Sequence, residues 1–270
     1  MGVRSGEATD LAGLGRVRRH GEGPAVLVLS NPQADPDWWA QPLVSRLVGA
    51  GFEAVTFVHT GRGTAPDDVV ADVVRLVEHL DVAPVALVGW SQGAAIAQEV
   101  ALRRPDLVAA AALIATYGRQ NAVDRVLQEA WDALASAGES LDPVRLAMLL
   151  LTSHPAHLLS DDDFLGPRLD ALRAWSAKSA FDPEGRRRSA DFIAGYQDRV
   201  PALRAVSVPC LVMGFGQDTD TFAARAREVA DAIPGSRYVE VAELGHLAPV
   251  THPDVVTGPV LAFLREHVLP

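Results

Sequence analysis

Short, almost wholly apolar runs alternate along this chain with segments in which apolar positions recur at helical spacing. AVLVLS (25–30) reads as a strand, and WWAQPLVSRLVGAG behind it as a helix that ends at Gly51. FEAVTFV is the next strand. PDDVVADVVRLVEHL then opens on Pro66 with Asp67 and Asp68 in its first turn, and it sets Val70, Val73, Val74 and Val77 at i, i+3, i+4 and i+7, the mark of an amphipathic helix. PVALVGW and LVAAAALIAT are near-continuous apolar runs, as central parallel strands are when helices bury both of their faces. The alternation predicts an α/β fold with a mostly parallel central sheet flanked by helices.

The texture changes after Tyr117. Residues 118–206 are helical in pattern, with charged and tryptophan-bearing segments such as RVLQEAWDALASAG and RLDALRAWSAK. Strand character returns at VPCLVMG, followed by the helix TFAARAREVADAI, the strand SRYVEVA, a loop, and a last helix from about Pro253. The economical division is an α/β core of residues 1–117 and 207–270 with a helical lid, 118–206, inserted after the sixth strand, because insertions are tolerated where a loop leaves a sheet.

Composition narrows the function. The 270 residues are 49% hydrophobic, which excludes a disordered chain, and 24 basic against 34 acidic residues leave a net charge of −10. That charge repels phosphate backbones and anionic lipid surfaces, so a small molecule is the expected partner, with no nucleic acid and no membrane. The N-terminus has no apolar core of a signal peptide, Gly6 breaks the myristoylation pattern, and no apolar run reaches the length of a membrane span, so a soluble, cytoplasmic protein is expected. The single cysteine, Cys210, excludes an internal disulfide and belongs to an apolar strand.

Gly89-Trp90-Ser91-Gln92-Gly93 stands where a buried strand passes into a helix. This is the G-x-S-x-G nucleophile elbow in its proper setting: a tight turn leaves no room for side chains two positions either side of the serine. A serine hydroxyl is a poor nucleophile without a base, so a histidine and an orienting acid are required later in the chain. His246, in AELGHLAP, lies just beyond a strand, at the edge where strand C-termini deliver side chains. His79 and His267 fall late in helices, His20 and His252 read as loop residues, and His154 with His157 lacks a third ligand for a metal. For the acid, Asp218 and Asp220 both follow CLVMG. Asp218 is preferred, with Asp220 as the N-cap of the next helix.

These residues together resemble the α/β-hydrolase fold superfamily, in its serine-nucleophile, lidded form. GWSQG, RRPDLVAAAALIAT, GFGQDTDT and AIPGSRYVEVAELGHLAPVTHPD carry the likeness, over nearly the whole chain from about Gly21. The resemblance implies that Ser91 attacks a carbonyl, His246 shuttles the proton and Asp218 holds the tautomer of the histidine.

The chain departs from the family at the oxyanion hole. LVLSNPQAD replaces the usual His-Gly after the first core strand, so a donor position falls on Pro32, which has no N–H. Gln92 N–H remains as one donor. Either the loop shifts register so that Gln33 N–H or the Asn31 amide donates, or the reaction needs less of a hole, or the site binds without catalysing. Asn31, Pro32, Gln92 and Trp90 are accordingly the oxyanion and substrate-binding candidates. A second departure is FVHTGRGTAPDD, where His59 takes the place of an aspartate and stands as loop drift or as a pocket residue. Trp38, Trp39, Trp131 and Trp175 would suit an aromatic or polycyclic substrate. SDDDF (160–164) reads as a helix start capped by Ser160, and GRRRS (185–189) as a solvated face. No dinucleotide loop follows the first strand and no metal set is evident, so no cofactor is expected. The expected activity is hydrolysis of an ester, thioester or lactone. A non-hydrolytic tailoring reaction on the same triad and a noncatalytic ligand-binding protein are the alternatives.

Overall fold

The computed structural model describes residues 6, 8–11, 13–31, 37–59, 63–137, 141–180 and 183–269. Its strands are β1 (Thr9–Leu11), β2 (Gly15–His20), β3 (Ala25–Leu29), β4 (Glu53–His59), β5 (Val85–Trp90), β6 (Val108–Ile114), β7 (Cys210–Phe215) and β8 (Arg237–Val241). They form one eight-stranded sheet in the order β1-β2-β4-β3-β5-β6-β7-β8. From β4 to β8 every pairing is parallel, and β1 and β2 join antiparallel at one edge. The α/β architecture read from the apolar runs is therefore confirmed.

Helices α1 (Asp37–Gly49), α2 (Pro66–Leu80) and α3 (Gln92–Arg103) follow the first parallel strands. Between β6 and β7 come α4 (Ala122–Ser136), α5 (Asp142–Ser153), α6 (Ala156–Leu159), α7 (Asp162–Ala180), α8 (Pro183–Gly195) and α9 (Val200–Leu203). The chain closes with α10 (Ala223–Ala232), α11 (Ala248–Thr251) and α12 (Pro253–Val268). Two apolar cores cover the two faces of the sheet. One joins α2, α3, α9 and α10 to Leu27, Leu87, Leu113 and Val212; the other joins α1 and α12 to Val26, Val28, Val88, Ala112 and Met213. The alternation of Leu27 with Val26 and Val28 between cores is the pleat of a strand buried on both sides.

The antiparallel hairpin β1–β2 does not show in the apolar pattern. In β2, Val17 is buried while Arg16 is exposed, and Arg19 is accommodated by a bidentate pair with Glu53 of β4 at 2.6 and 2.8 Å. His20 is a correction too: it ends β2 and is buried. The start of α7 differs by one residue, since Asp161 Oδ1 accepts from Phe164 N at 2.9 Å while Ser160 Oγ donates to His157 O. GRRRS is a solvated face only in part: Arg187 is exposed, but Arg188 and Ser189 are buried. Among the described residues, no helix is long and apolar enough to cross a membrane.

Candidate active site

The register of the central strands places the serine. Gly89 pairs with Leu29 on one side and Leu113 on the other, and the chain turns into α3 two residues later. A Cβ on Gly89 would lie 2.3 Å from Gly93 O, and one on Gly93 would lie 2.3 Å from Leu29 O, so α3 can start this close to the sheet only with glycine at both places. Ser91 between them holds φ 56° and ψ −123°, a backbone conformation that costs a non-glycine residue about 1–3 kcal/mol. Ser91 N donates to Ile114 O at 2.8 Å, and Ser91 O accepts from Ala94 N and Ala95 N. Gln92 N–H heads the helix with no intrahelical acceptor, at the positive end of the α3 dipole.

Asp218 and His246 arrive from the loops after β7 and β8. These loops approach closely: a Cβ on Gly216 would lie 2.5 Å from Ala242 O, and Gln217 N donates to Leu244 O at 2.9 Å. His246 Nδ1 and Asp218 Oδ2 are hydrogen-bonded at 2.8 Å, both side chains buried. The other oxygen, Asp218 Oδ1, accepts from Asp220 N at 2.9 Å and Thr221 N at 2.7 Å, which fixes the carboxylate plane. Burial opposes the charged imidazole, but Asp218 and Asp220 together outweigh it and raise the His246 pKa to about 9. Asp220 is not a helix cap, since α10 begins at Ala223 with Phe222 in the capping position. Its Oδ2 lies instead 3.3 Å from His246 Nε2.

Trp90 forms the wall behind the histidine. Its ring lies 5.3 Å from the His246 ring and 5.3 Å from the Trp39 ring, and Trp39 Nε1 donates to Ser30 Oγ at 3.3 Å. Trp131, Leu146, Leu150 and Leu165, from α4, α5 and α7, pack against the same apolar cluster. The C-terminal end of α5 clasps both loops: Thr219 Oγ donates to Thr152 O at 2.9 Å, and Leu247 N to Ser153 O at 3.2 Å. On the other side, α8 is tied to the residue after the serine, because Ser189 Oγ donates to Gln92 Oε1 at 2.6 Å and Gln92 Nε2 returns a bond to Ser189 O at 3.2 Å. Sequence reasoning missed Thr219, Ser153 and Ser189, whose bonds are to residues far away in the chain.

Asn31 lies two residues beyond β3, its Oδ1 buried with no hydrogen-bond partner among the described residues. Pro32, Gln33, Arg62 and the side chains of Trp38 and Trp175 lie outside the described residues. His59 is built into a structural pair, with Nε2 2.8 Å from Asp72 Oδ2 and Arg75 bound to the other oxygen of that carboxylate. Burial holds the His59 ring below the ordinary histidine range, and Asp72 pulls only part of the way back. His154 is buried and kept neutral by burial. No cluster of three His, Cys, Asp or Glu side chains among the described residues could hold a metal ion.

The model of the alpha/beta hydrolase family matches residues 20–258. The chain belongs to the alpha/beta hydrolase family. A Mycobacterium tuberculosis (strain H37Rv) member provisionally named non-heme bromoperoxidase BpoC is 33% identical over 255 residues, which cover 92% of this chain and 96% of that one. Its crystal structure superposes with a TM-score of 0.82 at 30% identity, over 98% of this chain and 97% of that one. A second relative, the rhodomycin D methylesterase DauP of Streptomyces sp. (strain C5), is 24% identical over 89% of this chain and 90% of its own length. The enol-lactonase of Burkholderia xenovorans LB400 shares the fold, with a TM-score of 0.77 at 23% identity over 96% of this chain and 99% of that one. An alpha/beta hydrolase with hydrolase and esterase relatives is thus the coarse identity of this chain.

Proposed function

We propose that the protein is a serine-dependent hydrolase of an ester, thioester or lactone borne by a small aromatic or polycyclic molecule. The observation that carries this reading is the strained Ser91 at the head of α3, on the same sheet edge as the buried His246–Asp218 pair. Ser91 Oγ attacks the carbonyl carbon while His246 Nε2 takes its proton. Asp218 accepts from Nδ1–H and keeps Nε2 as the basic nitrogen. Gln92 N–H donates to the oxyanion that forms as the carbonyl π bond breaks, at the positive end of a helix. The imidazolium returns its proton to the leaving oxygen or sulfur, and water then repeats the cycle on the acyl-serine.

Trp39, Trp90 and Trp131 support an aromatic substrate, since they line the apolar cluster that continues from the site into α4, α5 and α7. A relative named as a methylesterase supports ester chemistry. The residues 118–206 then act as a lid over this cluster. A second reading is favoured by one observation: a carboxylate lies 3.3 Å from the nitrogen that should face Ser91, which suits a tailoring reaction that uses His246 for acid–base transfer alone.

Turnover of aryl and polycyclic methyl esters, thioesters and lactones, compared between wild type and Ser91→Ala, tests the proposal. Ester turnover that vanishes in Ser91→Ala is expected. Turnover that survives in Ser91→Ala while His246→Ala abolishes it would select the acid–base reading, and binding without turnover in either protein would select a receptor.

A further inference from the structure

His246 is bracketed by two carboxylates, one at each ring nitrogen. Asp218 Oδ2 is hydrogen-bonded to Nδ1 at 2.8 Å, and Asp220 Oδ2 stands 3.3 Å from Nε2, close but not aligned as a hydrogen bond. The turn that carries Asp220 is fixed on three sides. Asp220 N and Thr221 N both bind Asp218 Oδ1, and Thr219 Oγ binds Thr152 O at the end of α5. Asp220 lies outside the capping position of α10, and its side chain, partly enclosed, keeps 33% of its exposure.

We propose that Asp220 is a positioning residue that competes with Ser91 for His246 Nε2, holding the free enzyme with a protonated imidazole that cannot accept the serine proton. The inference rests on the reading of His246 as the base of the reaction. A proton on Nε2 is stabilised by the adjacent carboxylate, yet that nitrogen must be bare to take the proton from Ser91. The two aspartates are the charged groups that act on the ring among the described residues. Tyr117, in the field of Asp220, is kept protonated by burial, as His154 beside Ser153 is kept neutral. Against burial, Asp218 and Asp220 raise the His246 pKa to about 9, and burial raises that of Asp220 above the ordinary carboxylate range. At neutral pH a minority of molecules therefore carry the free base, and kcat/KM climbs with pH until the imidazole has lost its proton.

The signature is a gain of function. Loss of the Asp220 charge lowers the midpoint of the His246 titration by about one pH unit or more, because even water-like screening of two charges 3.3 Å apart leaves that much interaction. Below the midpoint each unit is tenfold in free base, so Asp220→Asn reacts about tenfold faster than wild type at pH 7. At alkaline pH its plateau is equal or lower, because a weaker base removes a proton less readily.

The test is a ¹⁵N NMR titration of His246 in full-length wild type, Asp220→Asn and Asp220→Thr, with the resonance assigned by its loss in His246→Gln. The rate of Ser91 labelling by a fluorophosphonate is followed over the same pH range. A midpoint at least one unit lower in both variants, with faster labelling at pH 7, is expected. Equal midpoints, or a higher one in the variants, overturn the proposal whether or not Ser91 reacts. A lowered midpoint with no labelling at any pH upholds the part played by Asp220 and overturns the hydrolytic reading on which it was built.

Discussion

Replacement of Asp218 by asparagine removes one charge and leaves the shape of the side chain intact. In the wild type, Oδ1 accepts two backbone N–H groups at 2.9 and 2.7 Å, while Oδ2 faces His246 Nδ1 at 2.8 Å. The amide can satisfy both backbone donors only with its oxygen, so its NH₂ group turns toward Nδ1. That nitrogen must then accept, the proton moves to Nε2, and Ser91 faces an N–H in place of a base. The lost attraction between carboxylate and imidazolium at 2.8 Å is about 6 kcal/mol with an effective dielectric constant of about 20. The wrong tautomer alone costs serine proteases about 10⁴ in rate. A fall in kcat/KM of about 10³- to 10⁴-fold, equivalent to about 4–5.5 kcal/mol, is expected for Asp218→Asn. Steady-state kinetics on any substrate that wild type turns over measures it, with circular dichroism and thermal melting to show an unchanged fold. A loss smaller than tenfold in a folded variant would refute the assignment of Asp218 as the orienting acid.

Three further outcomes test the scaffold. Gly93→Ala drives a methyl group to 2.3 Å from Leu29 O in the central sheet, and urea unfolding should show a loss of about 3 kcal/mol; a change below about 0.5 kcal/mol would contradict the close approach of α3. Arg199→Leu strips the bidentate partner, at 2.8 and 2.9 Å, from the fully buried Glu99. Arg103 remains as a second cation 3.2 Å from that carboxylate, so the loss should be about 2–3 kcal/mol, below the usual cost of breaking a buried pair. The raised His246 pKa favours the folded state at low pH: its contribution is complete below about pH 6.5 and is lost as pH rises through about 9. Thermal melts from pH 6 to 10 should show that decline in wild type, and an identical decline in His246→Gln would assign it to another group.

The parallel strands were legible because burial on both faces leaves an unbroken apolar run, as in Val85–Trp90. The hairpin at the sheet edge was not, since the arginines of β2 break the pattern and one of them, Arg19, is tolerated through Glu53, distant in the chain. Charge read locally also misled at Arg188 and Ser189, which are buried; Ser189 is bonded to Gln92, a partner ninety-seven positions away. At the candidate site, the strained turn at Ser91 was readable from the two glycines that it requires, and the position of His246 from the strand just before it. The spacing Asp218-x-Asp220 was visible too, but local rules offered a helix cap for the second aspartate. Only the folded turn sets its carboxylate against His246 Nε2.

The central claim is that Ser91 is an activated nucleophile beside a working oxyanion site. Intact-mass spectrometry of wild type and Ser91→Ala after treatment with a fluorophosphonate, at pH 7 and pH 9, tests it most directly. The account predicts one adduct on wild type, formed faster at pH 9, and none on Ser91→Ala. No adduct on folded wild type at either pH, or an equal adduct on Ser91→Ala, would contradict it.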